Sequence, residues 1–268
     1  MPVKAEGVSH FYYDVTALDA VELEIGPGEL VAVCGRNGSG KSTLLKCLAG
    51  LQKPSMGTVT IDGQPAAKAR SKVGLAIQFP ERALFGKTIY DDLAFAPKNA
   101  GLKDEDVSRR VAYAKEAIGM PDSLLTQPHA SLSYGQKRLA GIASVLSARP
   151  AYLFLDEPTA GLDYPWKRRI AELLRSLNRS GVTIVIASHD PSFFADICSR
   201  LIILDGGQVV SDGAPVKVDL ARAGIRSDTL ALARKLKECG FDVPETFSPE
   251  DLADRVAEVI RRESAGHN

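Results

Sequence analysis

The chain has 268 residues, is 45% hydrophobic, and carries 33 basic and 33 acidic side chains that cancel. That is enough apolar material for an ordinary core and leaves no global field to hold nucleic acid or an anionic membrane, so no nucleic-acid partner is expected. Four scattered cysteines without a CxxC or Cys/His cluster, and a start without a charged-then-apolar leader, suit a reducing cytoplasm. The longest apolar runs, around Thr183 to Ala187 and Leu201 to Leu204, fall far short of the ~20 residues of a membrane-spanning helix.

In chain order, Val8 to Tyr13, Ala20 to Ile25 and Thr58 to Ile61 alternate and are punctuated by Gly26-Pro27-Gly28 and Asp62-Gly63, the pattern of an antiparallel sheet. Glu29 to Cys34, Tyr152 to Leu155 and Val182 to Ala187 are instead continuous apolar runs, which predict parallel strands covered on both faces. Lys41 to Ala49 reads as a helix closed by Gly50, and Val73 to Ile77 as a further apolar strand. From about Glu81 to Arg149 helical signals take over, with Val107, Val111, Ala114 and Ile118 at helical spacing within Asp104 to Ile118. Helices return after Ser227. Leu230, Leu232 and Leu236 precede Gly240, and Ser248-Pro249 opens a segment with Leu252, Val256, Val259 and Ile260 on one face. The four cysteines, flanked by apolar neighbours such as Val33 and Leu48, read as small buried hydrophobes.

Gly35-Arg36-Asn37-Gly38-Ser39-Gly40-Lys41-Ser42-Thr43 lies between a predicted strand and a predicted helix, as a phosphate-binding loop requires. Backbone amides can face phosphates only where no side chain intervenes, which explains the glycines. Lys41 adds a point charge near the β and γ phosphates, the Ser42 hydroxyl suits Mg²⁺, and Thr43 suits the α phosphate. A nucleoside triphosphate and Mg²⁺ are what this loop implies, and the family resemblance given below makes that nucleotide ATP.

A second phosphate-handling motif, Leu132-Ser133-Tyr134-Gly135-Gln136-Lys137-Arg138, has the form of the signature sequence of ATP-binding-cassette (ABC) ATPases, with Tyr134 where the family usually has Gly. The chain resembles that family from end to end. The resemblance implies an α/β P-loop NTPase core with an antiparallel β subdomain over residues 1–226, a helical subdomain inserted at about 81–150, and a C-terminal helical extension over 227–268. Tyr152-Leu153-Phe154-Leu155-Asp156-Glu157 resembles the Walker B strand, implying Asp156 as a Mg²⁺ group and Glu157 as general base toward water. Thr159-Ala160-Gly161-Leu162-Asp163 matches the D-loop, implying that Asp163 sits between two copies. His189 matches the switch histidine that contacts the γ phosphate, and Gln78 the Q-loop glutamine that reaches metal and water. Ser133, Gly135 and Gln136 are expected to contact the γ phosphate bound by another protomer, so the chain works as half of a pair, with an identical or a related partner. An aromatic near the start stacks on adenine in this family; counting to the following strand favours Tyr12 over Tyr13, with Phe11 also available.

Gln78-Phe79-Pro80-Glu81-Arg82-Ala83-Leu84-Phe85 and Thr88-Ile89-Tyr90-Asp91-Asp92-Leu93-Ala94-Phe95 look like the ATPase subunits of energy-coupling-factor (ECF) importers, of the cobalt and nickel or the vitamin type. The family commonly has Gln where this chain has Ala83. In ECF importers this segment shapes a groove for the coupling helix of a transmembrane subunit, and a small membrane protein binds the substrate. The helices after Ser227, with Gly240-Phe241-Asp242-Val243-Pro244, resemble the extension that pairs two ECF ATPases. The resemblance implies a peripheral protein at the cytoplasmic face of the membrane. An ABC ATPase of another transport class, or one of DNA repair or translation, is the competing reading.

Overall fold

The computed structural model describes residues 2–265; Met1 and residues 266–268, the end of the expected extension, lie outside the described residues. The chain opens with β1 (Val3–Tyr12), β2 (Val15–Ile25), β3 (Leu30–Cys34), α1 (Lys41–Leu48), β4 (Met56–Ile61), β5 (Gln64–Pro65) and β6 (Val73–Ala76). Three helices follow, α2 (Ile89–Asn99), α3 (Asp104–Ala117) and α4 (Tyr134–Leu146). Next come β7 (Tyr152–Asp156), α5 (Tyr164–Arg179), β8 (Thr183–Ser188), α6 (Pro191–Ala195), β9 (Arg200–Asp205) and β10 (Gln208–Gly213), and finally α7 (Asp228–Glu238) and α8 (Pro249–Ala265).

Two sheets form, as the contrast between alternating and continuous runs predicts. The first is antiparallel, in the order β2-β1-β4-β5. The second runs β10-β9-β3-β8-β7-β6, parallel except where β10 pairs with β9. Each central strand divides its residues between two cores by the period of two. Leu30, Ala32 and Cys34 of β3 join a core with α2 to α5, whereas Val31 and Val33 face α1 and the antiparallel sheet. Ile184 and Ile186 of β8 split from Val185 and Ala187 in the same way. A fully buried Val or Ile contributes roughly 1.5–3 kcal/mol, and a one-residue slip would exchange the two faces, so register is firmly fixed. Because β3, β6, β7 and β8 are parallel, the segments leaving them gather at one edge, where ligands sit in open α/β sheets.

Between β6 and β7 the chain is helical. Thr88 and Asp91 cap α2 reciprocally, Oγ1 accepting from the Asp91 amide (3.2 Å) and Asp91 Oδ2 from the Thr88 amide (3.1 Å). Buried Asp92 accepts from the amides of Phe85 (2.8 Å) and Gly86 (2.7 Å), tying the preceding loop to the helix. Val107, Val111 and Ala114 of α3 are buried, as their spacing predicts.

Several expectations need correction. Tyr13 is not in β1 but in a turn at φ +51°, and β6 ends at Ala76, leaving Ile77 exposed where no further strand covers it. Leu232 and Ile260 are half exposed. Leu230 and Ala233 set the buried face of α7, from whose centre Leu232 is about 130° away, and Ile260 sits one residue around from buried Val259. Cys34, Cys47 and Cys198 are buried, but Cys239 at the end of α7 is exposed. Ala233, Val243 and Leu252 give the last two helices a small core of their own, and Tyr164 Oη donates to Glu250 Oε1 (2.8 Å), fastening α8 to the start of α5.

Candidate functional site

The loop leaving β3 turns sharply because Gly38 (φ +82°) and Gly40 (φ +103°) adopt left-handed backbone, and at Gly40 a Cβ would lie 2.3 Å from the Ala17 carbonyl oxygen. Gly40 caps α1 without any side-chain bond to its first amides, leaving a helix N-terminus suited to anions. Lys41, only 6% exposed, donates from Nζ to the carbonyls of Gly35 (2.8 Å) and Arg36 (2.9 Å). Burial lowers its pKa, opposed by the nearby carboxylates of Glu157 and Asp156. The Cys34 thiol beneath the loop is pushed far up by burial, which leaves it inert.

Asp156 ends β7, and Glu157 follows in left-handed backbone at φ +48°, held by its amide's bond to the Ala187 carbonyl of β8 (2.9 Å). Its Oε2 lies 2.9 Å from Nδ1 of His189, which follows the end of β8. The Glu157 carboxylate is 8% exposed and the imidazole 56%, so the pair runs from the protein interior to the mouth of the site. A cleft of about 460 Å³ gathers Tyr12, Asn37, Gly38, Gly40, Lys41, Ser42, Thr43, Gln78, Asp156, Glu157 and His189 from four strand ends and the first hairpin. Tyr12 therefore lines the cleft. Tyr13 is fully exposed in the turn and Phe11 is not part of the lining. Asp156 Oδ1 is buried without a hydrogen-bond partner, and with Ser42 and Gln78 lining the same cleft the donor set is all oxygen, which fits Mg²⁺.

Ser39 differs from its neighbours. It is buried outside the cleft lining, its amide donates to the Arg36 carbonyl (3.1 Å), and its carbonyl accepts from the Gly207 amide (3.1 Å), so it braces the loop from beneath. Ser133, Gly135, Gln136 and Asp163 do not line the cleft either. Ser133 caps α4, with Oγ accepting from the Gln136 amide (3.3 Å) and Gln136 Oε1 accepting from the Ser133 amide (2.8 Å). Asp163 caps α5 through Oδ1 and the Trp166 amide (3.3 Å). Gly135 is buried against Trp166, where a Cβ would fall 2.4 Å from the ring. Sequence reading passed over Arg138, which is 0% exposed and donates to the Gln78 carbonyl, the Ala160 carbonyl and the Tyr134 hydroxyl. A charge beside Leu139 and Ala140, four residues after Tyr134, was the available signal.

Comparison with known proteins agrees with this fold. The ABC transporter family model matches residues 18–160. Energy-coupling factor transporter ATP-binding protein EcfA2 of Symbiobacterium thermophilum is 39% identical over 94% of this chain and 94% of its own length. EcfA of Methanothermobacter thermautotrophicus is 36% identical over 96% of this chain and 87% of its own length. Among solved structures, cbiO1 of Clostridium perfringens, part of the ABC transporter complex cbiONQ, superposes with a TM-score of 0.76 at 33% identity, covering 88% of this chain and 94% of that one. A dimeric ATP-binding cassette in a post-hydrolysis state, bound to ADP and Pi, gives a TM-score of 0.72 at 28% identity over 80% of this chain and 98% of that one. The family model that matches more than half of the chain, and relatives matched over nearly their whole length on this same fold, make the chain a member of the ABC transporter family, an ATPase of the energy-coupling factor type.

Proposed function

We propose that two protomers, this chain with a copy of itself or a related one, enclose two ATP molecules, and that the closing motion drives uptake of a small micronutrient, a metal ion or a vitamin, through separate membrane subunits. In this reading one cleft supplies half of each site. The amides of the 35–43 loop and the Lys41 ammonium hold the phosphates, Thr43 the α phosphate, and Tyr12 stacks on adenine. Asp156, Ser42 and Gln78 would hold Mg²⁺, which when bound offsets phosphate charge. Glu157 accepts a proton from the attacking water, and His189, bonded to it, keeps that carboxylate and the γ phosphate aligned. Ser133, Gly135, Gln136 and Asp163 act on the nucleotide of the other protomer, and the 227–268 extension contributes to pairing.

The observation that carries this reading is the split between the two motif sets. The phosphate loop and the Glu157–His189 pair share one cleft, while Ser133 and Asp163 stand on helix N-termini outside it. Motion follows only if ATP favours the closed pair over the open one. The transmembrane coupling subunit is expected against the Gln78–Phe95 segment, on the cytoplasmic face of the membrane, alongside a small substrate-binding membrane protein. Among the described residues no helix is long and apolar enough to cross a bilayer, and in this reading other chains build the path. The test has two arms. Turnover per protomer should rise with protein concentration and collapse in Ser133→Arg, and mild detergent extraction should retain two membrane proteins with the chain. Full-speed hydrolysis by a strictly monomeric preparation would sink the paired site.

A further inference from the structure

Arg138 stands where two loops meet the first turn of α4, and it touches no side-chain atom of the cleft residues. Its guanidinium has no exposure, which is costly unless each N–H finds an acceptor. Nη1 donates to the Gln78 carbonyl; Nη2 donates to the Ala160 carbonyl (2.7 Å) and the Tyr134 hydroxyl (2.8 Å); Nε makes no hydrogen bond and has only the charge of Glu81, whose Oε2 lies 3.7 Å away. Gln78 and Glu81 belong to the loop after β6, Ala160 to the turn between Glu157 and Asp163, and Tyr134 to the first turn of α4. Two of the acceptors are main-chain carbonyls on different loops, and only a planar fork of donors spans both.

Packing brings the same elements together independently. At Gly141 of α4 a Cβ would fall 2.6 Å from the carbonyl carbon of Pro80, and at Gly135 it would fall 2.4 Å from the Trp166 ring of α5. At Gly161 it would come within 3.4 Å of the Tyr134 hydroxyl. Helix α4 is therefore seated on the Gln78 loop at one point and on the start of α5 at another, with Arg138 between them.

We propose that Arg138 is a positioning residue for ATP hydrolysis: it joins the Gln78 loop, the turn after Glu157 and the helix end bearing Ser133 into one unit, so that displacement of the first is transmitted to the other two. Tyr134 is its accessory, filling the second acceptor position of Nη2. This rests on the ATPase activity of the family and not on the transport class. An arginine that merely pairs with Glu81 would be replaced by lysine without loss; one that links two loops would not.

The experiment compares full-length wild type, Arg138→Lys and Tyr134→Phe by amide hydrogen exchange, by binding of a fluorescent ATP analogue, and by phosphate release per bound nucleotide. In Arg138→Lys, exchange over 78–83 and over 158–162 rises together by about tenfold while the 35–43 loop stays unchanged. Analogue affinity remains within about twofold, and kcat per bound nucleotide falls about tenfold, as loss of a charge-assisted bond implies. Tyr134→Phe, which removes one acceptor and keeps the charge, loses about threefold in kcat and loosens 158–162 alone. Exchange that rises over only one segment in Arg138→Lys, or over neither, overturns the proposal. So does a wild-type kcat per bound nucleotide, which is the outcome expected of a residue serving stability only. Should Arg138→Lys not fold, Tyr134→Phe decides the matter, since unaltered exchange over 158–162 with unaltered kcat refutes the link.

Discussion

Replacing Glu157 by Gln isolates the proton-accepting role proposed for it from every other role of that side chain. The amide is isosteric, and its oxygen can still accept from Nδ1 of His189 across the same 2.9 Å. The left-handed backbone at 157 is held by the main-chain bond to Ala187, which the substitution does not touch. What disappears is a base. General base catalysis contributes about 10²–10⁴-fold, which at about 1.4 kcal/mol per decade is roughly 3–5 kcal/mol of barrier. We therefore expect phosphate release to fall by that factor while ATP affinity, carried by Lys41 and the loop amides, stays within about threefold. Since ATP is bound and not consumed, the closed pair should accumulate as a dimer on size exclusion in the presence of Mg-ATP. Steady-state phosphate release and a parallel melting curve are the assays. If Glu157→Gln hydrolyses ATP within about fivefold of wild type, the assignment of the base is wrong and water must be activated elsewhere.

Two further substitutions probe the frame. Gly135→Ala puts a methyl 2.4 Å from the ring of Trp166, the chain's sole tryptophan, and an overpacking cost of about 3 kcal/mol outweighs the ~1 kcal/mol gain in helix propensity; melting should drop and the Trp166 emission shift, whereas an unchanged emission maximum refutes the contact. Asp62 accepts from Lys72 Nζ (2.6 Å) and from the Tyr152 hydroxyl, bonds that hold its pKa down, so the stability it adds is present above the ordinary carboxylate range and is lost as pH falls through the depressed value. Asp62→Asn should cost about 1 kcal/mol near neutral pH, discounted for the half-exposed Lys72, with the two melting curves converging in strong acid; a gap that persists there excludes the charge as its cause.

How much could be read from residues alone follows from the range of each interaction. The phosphate loop was legible because glycine spacing is a local demand: Gly38 and Gly40 need left-handed backbone whatever surrounds them. The capping of α4 by Ser133 and Gln136 was legible for the same reason, since its partners are three residues apart. The two-sheet division followed from alternating against continuous apolar runs, which report burial on one face or two. The direction of the Ser39 side chain was not legible, because at a tight turn it depends on what lies beneath, here Gly35 and the Leu204 carbonyl. Leu232 and Ile260 misled because an apolar residue counts toward periodicity even when it faces outward. Arg138 was passed over because two of its three acceptors lie 60 and 22 residues away, on main-chain atoms that carry no sequence signature, and only the Tyr134 hydroxyl is near in the chain.

The same distinction between local and distant demands explains why this chain can depart from its family at Tyr134 and not at Gly135. Residue 134 begins α4 with ordinary right-handed backbone, so no conformational freedom is required there. Its side chain leaves the helix beside Gly161, stays 45% exposed, and places its hydroxyl on Arg138, away from the reciprocal cap between Ser133 and Gln136. The anion-favouring amides of the first turn are untouched. At 135, by contrast, the Trp166 ring occupies the place of a Cβ, and a larger residue would force α4 away from α5. In the signature of this chain the second glycine is therefore held by helix packing, and the first is free to vary because a neighbouring arginine supplies a use for the side chain that replaces it.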